Sequence, residues 1–563
     1  MNKSLRRFLA MFGGGAKHRV KWRSSARCFA PPLNMSVAIL SLIIVAGCED
    51  QQPAAELPQI RNIRPVDLAA SIPTTQAATP ATLPSPPPQR DLSITIGEVT
   101  QAALANNLDL KVDLLDPTIA RQSVNVEEAK FEALFTTDIN YANLKQPAPT
   151  QLDSSQVHNF SLDPGLEIPL RTGGTITLSS PWDRSRTNNA YNEFNGPFYT
   201  ADPALTLTQP LLRGAGTDVT EYSIRIAKLQ YQQSEARTKL EIIRVIAEAE
   251  RDYWRVYAAA EHLRVQKQQY NLAIAQLNRA KHQVAAGVSA EAEVVRAESG
   301  VADQVDSVIT ADEDLATAEQ NLKLIMNRSD LPVDGPTVLV PSTLPHELFY
   351  KLDIPKLAEQ AVRDRMEMLD AELQITQDTL TVGFNRNAML PLVNLQYTYD
   401  INGLGASSHD ALQMVRTMNY QDNSVGIHIE VPIGNEAARA QLRQALAQRQ
   451  QQLATRDQRA ASVKQDLYTA STELTEGWQH MMAARKRVEM DARLLDVQIR
   501  QFQQGLQTST QVLDAQTTLG IAKDQEITAI RDYQIAQIDI AYATGTILGS
   551  AGIRWDATPI NQK

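Results

Sequence analysis

From Glu221 to Ala286 the chain runs without a glycine or a proline. Read as one helix, that stretch would be about 100 Å long. Beyond Gly287, the apolar residues Val301, Val305, Val308, Ala311, Leu315, Ala318, Leu322 and Ile325 are spaced 4-3-3-4-3-4-3. This is a near-heptad seam, and it predicts coiled-coil-like packing against other long helices. The same plan returns later. Glu436 to Gln504 is broken only by Gly477, and the stretch after Gly505 carries Ala529, Tyr533, Ala536, Ile540 and Ala543 at 4-3-4-3. The two glycines align their surroundings: Val288 with Leu506, Val294 with Val512, Val295 with Leu513, Ala297 with Ala515. Glycine lets one helix end in a left-handed turn before the next begins. Each copy therefore reads as the tip of a helical hairpin, at Gly287–Val288 and Gly505–Leu506.

Ahead of each long helix the period shortens to two. Phe135, Thr137, Ile139 and Tyr141 share one strand face, and 157–162, 175–179 and 204–208 read alike. Arg171 to Gly174 (Arg-Thr-Gly-Gly) is a tight-turn signal, and Trp182 to Tyr199 reads as a long polar loop. In the second copy, strands are expected over 390–399 and 424–431, with a polar loop over 402–423 between them. Helix is expected over 96–107, from near Pro117 to Ala129, and over 354–388 with an interruption near Arg365–Met366. Leu134 to Pro210 spans 76 positions, against 42 from Leu390 to Pro432. The extra 34 match one additional hairpin, which gives four strand candidates against two. Short turns on one side and long polar loops on the other form the pattern of an outer-membrane β-barrel, and a soluble β-domain is the alternative. A helix as long as 221–286 must lie against other long helices. Two hairpins per chain are too few to close a wide barrel, and an oligomer resolves both requirements.

Composition sharpens this picture. Charged residues are 21% and aromatics only 6% of 563, with a formal net charge of −10. Few aromatics favour long packed helices over a conventional core. The basic residues of the first 47 positions leave an acidic body, which argues against a nucleic-acid surface. No apolar run reaches the length of a transmembrane helix. The only cysteines are Cys28 and Cys48, so the body has neither a disulfide framework nor a thiolate metal site. The eight histidines make no metal-ligand spacing, and no nucleophile elbow or phosphate-cradling loop occurs. We therefore expect no catalytic residue, no metal and no cofactor.

The organisation follows. Residues 1–47 have the basic region, short apolar core and small closing residues of a secretory signal. Val45-Ala46-Gly47 before Cys48 is similar to the bacterial lipobox, with Cys48 as the acylated first residue; an ordinary signal with an incidental cysteine is the alternative. Residues 48–91 form a Pro-rich tether, 92–330 a first repeat, 331–345 a proline-rich linker, 346–550 a second repeat and 551–563 a tail.

Leu207 to Gly214 (Leu-Thr-Gln-Pro-Leu-Leu-Arg-Gly), Val431 to Ala440 (Val-Pro-Ile-Gly-Asn-Glu-Ala-Ala-Arg-Ala), the two tips and Ala541 to Gly549 (Ala-Tyr-Ala-Thr-Gly-Thr-Ile-Leu-Gly) occur in order within an internal duplication. In these residues the chain resembles the TolC-like outer-membrane efflux and secretion channels, over roughly residues 92–550. The resemblance implies a mostly α fold with a membrane β-barrel portion. Long coiled-coil-like hairpins would form a periplasmic α-barrel, joined to strands contributed to a twelve-stranded trimeric outer-membrane β-barrel. It implies a homotrimer whose tips face a periplasmic adaptor tied to an inner-membrane pump. The Cys48 lipobox is similar to that of the lipid-anchored members, which reside in outer-membrane lipid. Asp514 falls where these channels place an aspartate at the periplasmic constriction, and Gln511 falls where another acid stands. Glu293 matches an acid that latches the closed tip, Gln507 its basic partner and Phe502 an aromatic of the same latch. A non-transporting coiled-coil scaffold of the envelope is the competing reading. The cargo is not written in the chain.

Overall fold

The computed structural model describes residues 90–147, 153–188, 194, 196–288, 290–504, 506–550 and 552. The expected signal, the expected anchor Cys48, nearly all of the expected tether, Gly505 and all of the tail but Gly552 lie outside the described residues.

Two very long helices dominate. α5 (Tyr222–Ala285) has 64 residues and α10 (Glu436–Gln503) has 68, so at a 1.5 Å rise each is about 100 Å long. The first two short helices begin with side-chain caps. Thr95 and Glu98 form a capping box on α1 (Ile96–Asn106), and Asn107 Oδ1 accepts the Leu110 amide at the start of α2 (Leu108–Asp113). α3 (Asp116–Ala129) has its proline in the first turn, as expected from Pro117, and α4 (Thr217–Thr220) is a single turn leading into α5.

α5 and α6 (Glu291–Met326) pack as an antiparallel hairpin. The predicted seam is buried there: Val301, Val305, Val308, Ala311, Leu315 and Leu322 are all under a tenth exposed. The seam meets α5 of its own chain, with Ala273, Leu277 and Ala280 facing Ala297, Val301 and Val305 near the tip. Toward its C-terminal end the stripe rotates, so Glu319 and Met326 are buried where Ala318 and Ile325 are half-buried. Drift of a 3.6-residue helix from a strict heptad accounts for this. The second hairpin pairs α10 with α11 (Ser509–Ala543), and its seam centres on Tyr533 and Ala536 against Leu474 and Met481. α12 (Ile547–Ser550) is the last described helix.

The upper half of α10 packs on α7 (Ile354–Asp364) and α8 (Met366–Ala388). The interruption falls at Arg365, whose backbone is extended. Its guanidinium, almost fully buried, reaches Glu367 and Asp466 and lies over the Tyr542 ring. The proline-rich linker contains an unforeseen strand. β1 (Arg90–Ile94) pairs in parallel with β8 (Thr337–Pro341). Buried Glu319 accepts the Leu339 amide, and Lys323 Nζ donates to Gly335 and Thr337 carbonyls. The four prolines masked Thr-Val-Leu-Val as a break, although they only bound it.

The second sheet is larger than expected. β2 (Leu134–Lys145), β3 (Gln156–Pro169), β4 (Thr175–Ser179) and β7 (Ala204–Pro210) cover the four foreseen segments. The expected polar loop also contains β5 (Trp182–Thr187) and β6 (Phe198–Ala201). In the second copy, β9 (Leu392–Ile401) and β11 (Gln421–Glu430) are the expected pair. The loop between them is structured as β10 (Gly403–Gly405) and α9 (Ser408–Thr417). All neighbouring strands are antiparallel, in the order β10-β6-β5-β3-β4-β7-β9-β11 with β2 on the other side of β3. β4 and β5 occupy one ladder position, as do β6 with β7 and β9 with β10. The chain therefore supplies six ladder positions, where a twelve-stranded trimer needs four. β2 and β11 do not pair with each other, and each leaves one edge free.

Candidate pore wall and hairpin tips

Side chains alternate across a strand, so the register sorts the sheet into two faces. One face carries Phe135, Ile139 and Tyr141 on β2, opposite Leu166, Leu162 and Phe160 on β3. It continues through Ile176 and Leu178, then Leu207 and Leu205, then Tyr397 and Tyr399, and ends on Val425, Ile427 and Ile429. At the end away from the helices it closes on an aromatic row. Phe160, Trp182 and Tyr199 stand with ring centroids 5.9 and 5.7 Å apart, and Arg184 lies over Tyr199. Apolar below and aromatic at the rim is the pattern that the outer surface of a membrane barrel carries.

The opposite face is polar and acidic. Asp138 stands directly across from Asp163, and Asp400 from Asp422. Asn402 Nδ2 donates to Asp422 Oδ2 at 2.8 Å and lies 3.4 Å from Asp400 Oδ2. Glu430 pairs with Arg213 at 3.2 Å. No lysine or arginine occurs on this face among the described strand residues. Like charges directly opposite one another cost stability, and a wall lined this way attracts cations. These residues were not singled out from sequence, although the alternation that carries them was.

The two tips share their backbone chemistry. Gly287 has φ +72°, and the Val288 amide donates to the Gln283 carbonyl at 3.0 Å. The Leu506 amide donates to the Gln501 carbonyl at 2.9 Å in the second hairpin. Such six-to-one bonds end a helix on an αL residue. Val288 is 79% and Leu506 71% exposed, so each tip presents a bare apolar side chain.

The gate candidates occupy different settings. Asp514 is exposed on α11, in the second turn, and makes no ion pair among the described residues. Gln511 is the third residue of α11, and its Oε1 accepts the Thr508 amide at 3.0 Å in a capping box. Gln507 bonds Gln501 at 3.1 Å within its own hairpin. Glu293 pairs at 2.6 Å with Arg296, one turn along its own helix. Phe502 is half-buried, with Arg279 Cζ of the first hairpin 5.8 Å from its ring centre. Arg279 was missed because nothing in its local pattern separates it from other exposed helix arginines.

Higher up, α5 is tied to α11 by polar contacts. Arg251 donates to Asp539 Oδ1 at 2.5 Å and sits over Tyr542. Gln266 donates to Asp524 Oδ2 at 2.8 Å, and His262 Nδ1 lies 3.0 Å from Asp524 Oδ1. Glu250 lines a cavity with Trp254, His346, Tyr350 and Gln534. Burial pushes its carboxyl up from 4.5 to about 7.

Comparison with known proteins agrees with this architecture. The Salmonella enteritidis outer membrane protein TolC is 25% identical over 204 residues, covering 35% of this chain and 42% of that protein. The alignment thus spans less than half of that relative's length. Among solved structures, the outer-membrane channel OprN superposes with a TM-score of 0.60 at 16% identity, over 80% of this chain and 90% of that one. CusC gives 0.60 at 14% identity, over 84% and 98%. The Campylobacter jejuni CmeC outer membrane channel gives 0.59 at 14%, over 80% and 86%. At such identities the likeness speaks to the fold alone. The model of the outer membrane efflux protein family matches residues 175–328 and 357–546, which take in both helical hairpins and most of the large sheet, and the chain belongs to that family.

Proposed function

We propose that the chain is one subunit of a homotrimeric outer-membrane channel, the exit conduit of a tripartite efflux or type I secretion system. The observation that carries this reading is the two-faced sheet placed next to two hairpins built on helices about 100 Å long. The apolar face suits lipid, the acidic face suits water, and the helices span a distance comparable with an aqueous compartment between membranes. A coiled-coil scaffold has no use for Phe135, Ile139 and Tyr141 in register with Leu166, Leu162 and Phe160.

Transport by this reading is passive. A periplasmic adaptor bound at the tips and an inner-membrane pump supply the energy and choose the cargo. The bare Val288 and Leu506 side chains are the adaptor contacts, with Gly287 setting the turn of the first tip. Cys48 is the lipidated anchor in the outer membrane, and 48–91 is the tether. Asp514, Glu293, Phe502, Gln507 and Gln511 surround the periplasmic constriction.

Photo-crosslinkers placed at Val288 and Leu506 in cells test the assembly. Capture of one periplasmic adaptor that co-purifies with a pump is the expected result; crosslinks from neither tip would sink it. Mass spectrometry of the mature N-terminus tests the anchor, and a terminus other than acylated Cys48 rules it out.

A further inference from the structure

The six ladder positions of the large sheet run without a gap. Ser180-Pro181 separates β4 from β5, yet the Ser180 amide donates to the Pro164 carbonyl of β3 at 3.0 Å. Asp202-Pro203 separates β6 from β7, and the Asp202 amide reaches the Pro181 carbonyl at 3.1 Å. Between β9 and β10, the Ile401 amide reaches the Pro203 carbonyl at 3.1 Å. Hydrogen bonding therefore crosses each interruption, and each broken pair behaves as one long strand. The additional hairpin of the first repeat is inserted into the wall, with a neighbour on both sides.

We propose that all six positions belong to the barrel, so that three chains close an eighteen-stranded wall half again as wide as a twelve-stranded one. This rests on the threefold channel proposed above and adds its bore. The partner at each free edge is a second copy of this chain. Six alternating strands leave β2 and β11 running in opposite directions, so β11 of one subunit meets β2 of the next antiparallel, as every other pair in the sheet does. Both edges are bare: every residue of β11, and all of β2 except Ala142, is exposed. Phe135 and Tyr141 on one edge and Val425 and Ile427 on the other are each more than half exposed. Long apolar edges left open would aggregate, and joining them continues the outer apolar face around the ring.

The dimensions accommodate this count. With strands about 4.8 Å apart and tilted about 40°, eighteen strands give a backbone diameter of about 36 Å and twelve about 24 Å. Two hairpins per chain put twelve helices in the tube, and at about 9–10 Å spacing these need a circumference of about 110–120 Å. Eighteen strands need about 113 Å, so the wall follows the tube without narrowing. Allowing about 5 Å of side chain on each side, the membrane section would pass objects about 25 Å across, the cross-section of a small folded domain. Twelve strands would leave about 14 Å.

Poly(ethylene glycol)s of graded size, added to the extracellular side of single full-length channels, test the bore independently of the periplasmic gate. We expect polymers up to a hydrodynamic radius of about 12 Å to enter and lower the conductance, against about 7 Å for the narrower wall. Deleting residues 156–189 removes one up-and-down pair and should return the cut-off to the smaller value. Electron microscopy of the intact trimer counts the strands directly and needs no variant. Twelve strands in a conducting trimer overturn this inference and leave the channel reading intact. A protein that forms no conducting oligomer overturns the channel reading itself.

Discussion

Arg279 of the first hairpin lies over the ring of Phe502 of the second, with its guanidinium carbon 5.8 Å from the ring centre. The contact joins α5 to α10 close to the tips, where both long helices end. The resemblance placed a charged latch here, between the positions of Glu293 and Gln507. The structure gives Glu293 to Arg296 and Gln507 to Gln501 instead. Close to the tips, a cation on an aromatic face joins the two hairpins.

Removing that link should loosen the tip. A cation–π contact at a partly exposed site contributes about 0.5–1 kcal/mol, which is about a two- to five-fold change in population. Arg279→Ala and Phe502→Ala should each raise the resting open probability by about that factor, and the double variant by no more than the larger single effect. Planar-bilayer recording measures this. Additive effects from the two single changes would show that the residues act separately.

The seam makes a different kind of prediction. Val308 and Leu315 are buried against α5 of the same chain, so a charge there strikes the hairpin before it strikes the oligomer. Val308→Asp or Leu315→Asp should cost several kcal/mol and yield a chain that is degraded as a monomer. A variant that retains the parent's protease resistance would contradict the packing described.

Glu250 predicts a pH dependence of stability. Its carboxyl is raised from 4.5 to about 7 by burial, so the folded state holds the proton more tightly than the unfolded chain. Its contribution is fully present below about 4.5 and is lost as pH rises through about 7, by up to roughly 3 kcal/mol. His346 and Tyr350 face the same cavity. Glu250→Gln keeps the shape and removes the titration. Thermal melts from pH 5 to 8 should fall less steeply for the variant than for the parent, and an unchanged slope assigns the dependence elsewhere.

The helices were legible because they depend on what is absent, and a stretch such as 436–503 contains almost nothing that could end a helix. The outer strands were legible through alternation, as in Phe135 to Tyr141. What escaped was local structure made by distant partners. β5 carries Arg184 and Arg186 on its outward side, so its pattern reads as loop until β3 and β6 fix its register. β8 reads as a break until β1, more than two hundred residues earlier, supplies its ladder. Gln511 stands where the resemblance set an acid, yet its side chain caps α11. Substitution at a family position can thus reflect a local backbone requirement as much as a change in the gate.

Asp514 is one of two acidic zones along the proposed path. It is exposed and free of ion pairs among the described residues, five residues past the start of α11 at Ser509 and so about 8 Å along that helix. Asp138 and Asp163 line the polar face of the sheet, at the opposite end of helices about 100 Å long. In the proposed threefold channel, Asp514 would form a ring of three carboxylates near the periplasmic mouth. Gln511 and Gln507 carry no charge. Asp514→Asn should lower cation selectivity and weaken block by multivalent cations added from the periplasmic side, while thermal stability stays within about 0.5 kcal/mol of the parent. Asp163→Asn should weaken cation binding from the extracellular side and leave the periplasmic block unchanged. Single-channel recording with a trivalent cation added to one side at a time distinguishes the two. If Asp514→Asn leaves periplasmic block unaltered, Asp514 is a solvated helix residue and the constriction lies elsewhere on α11.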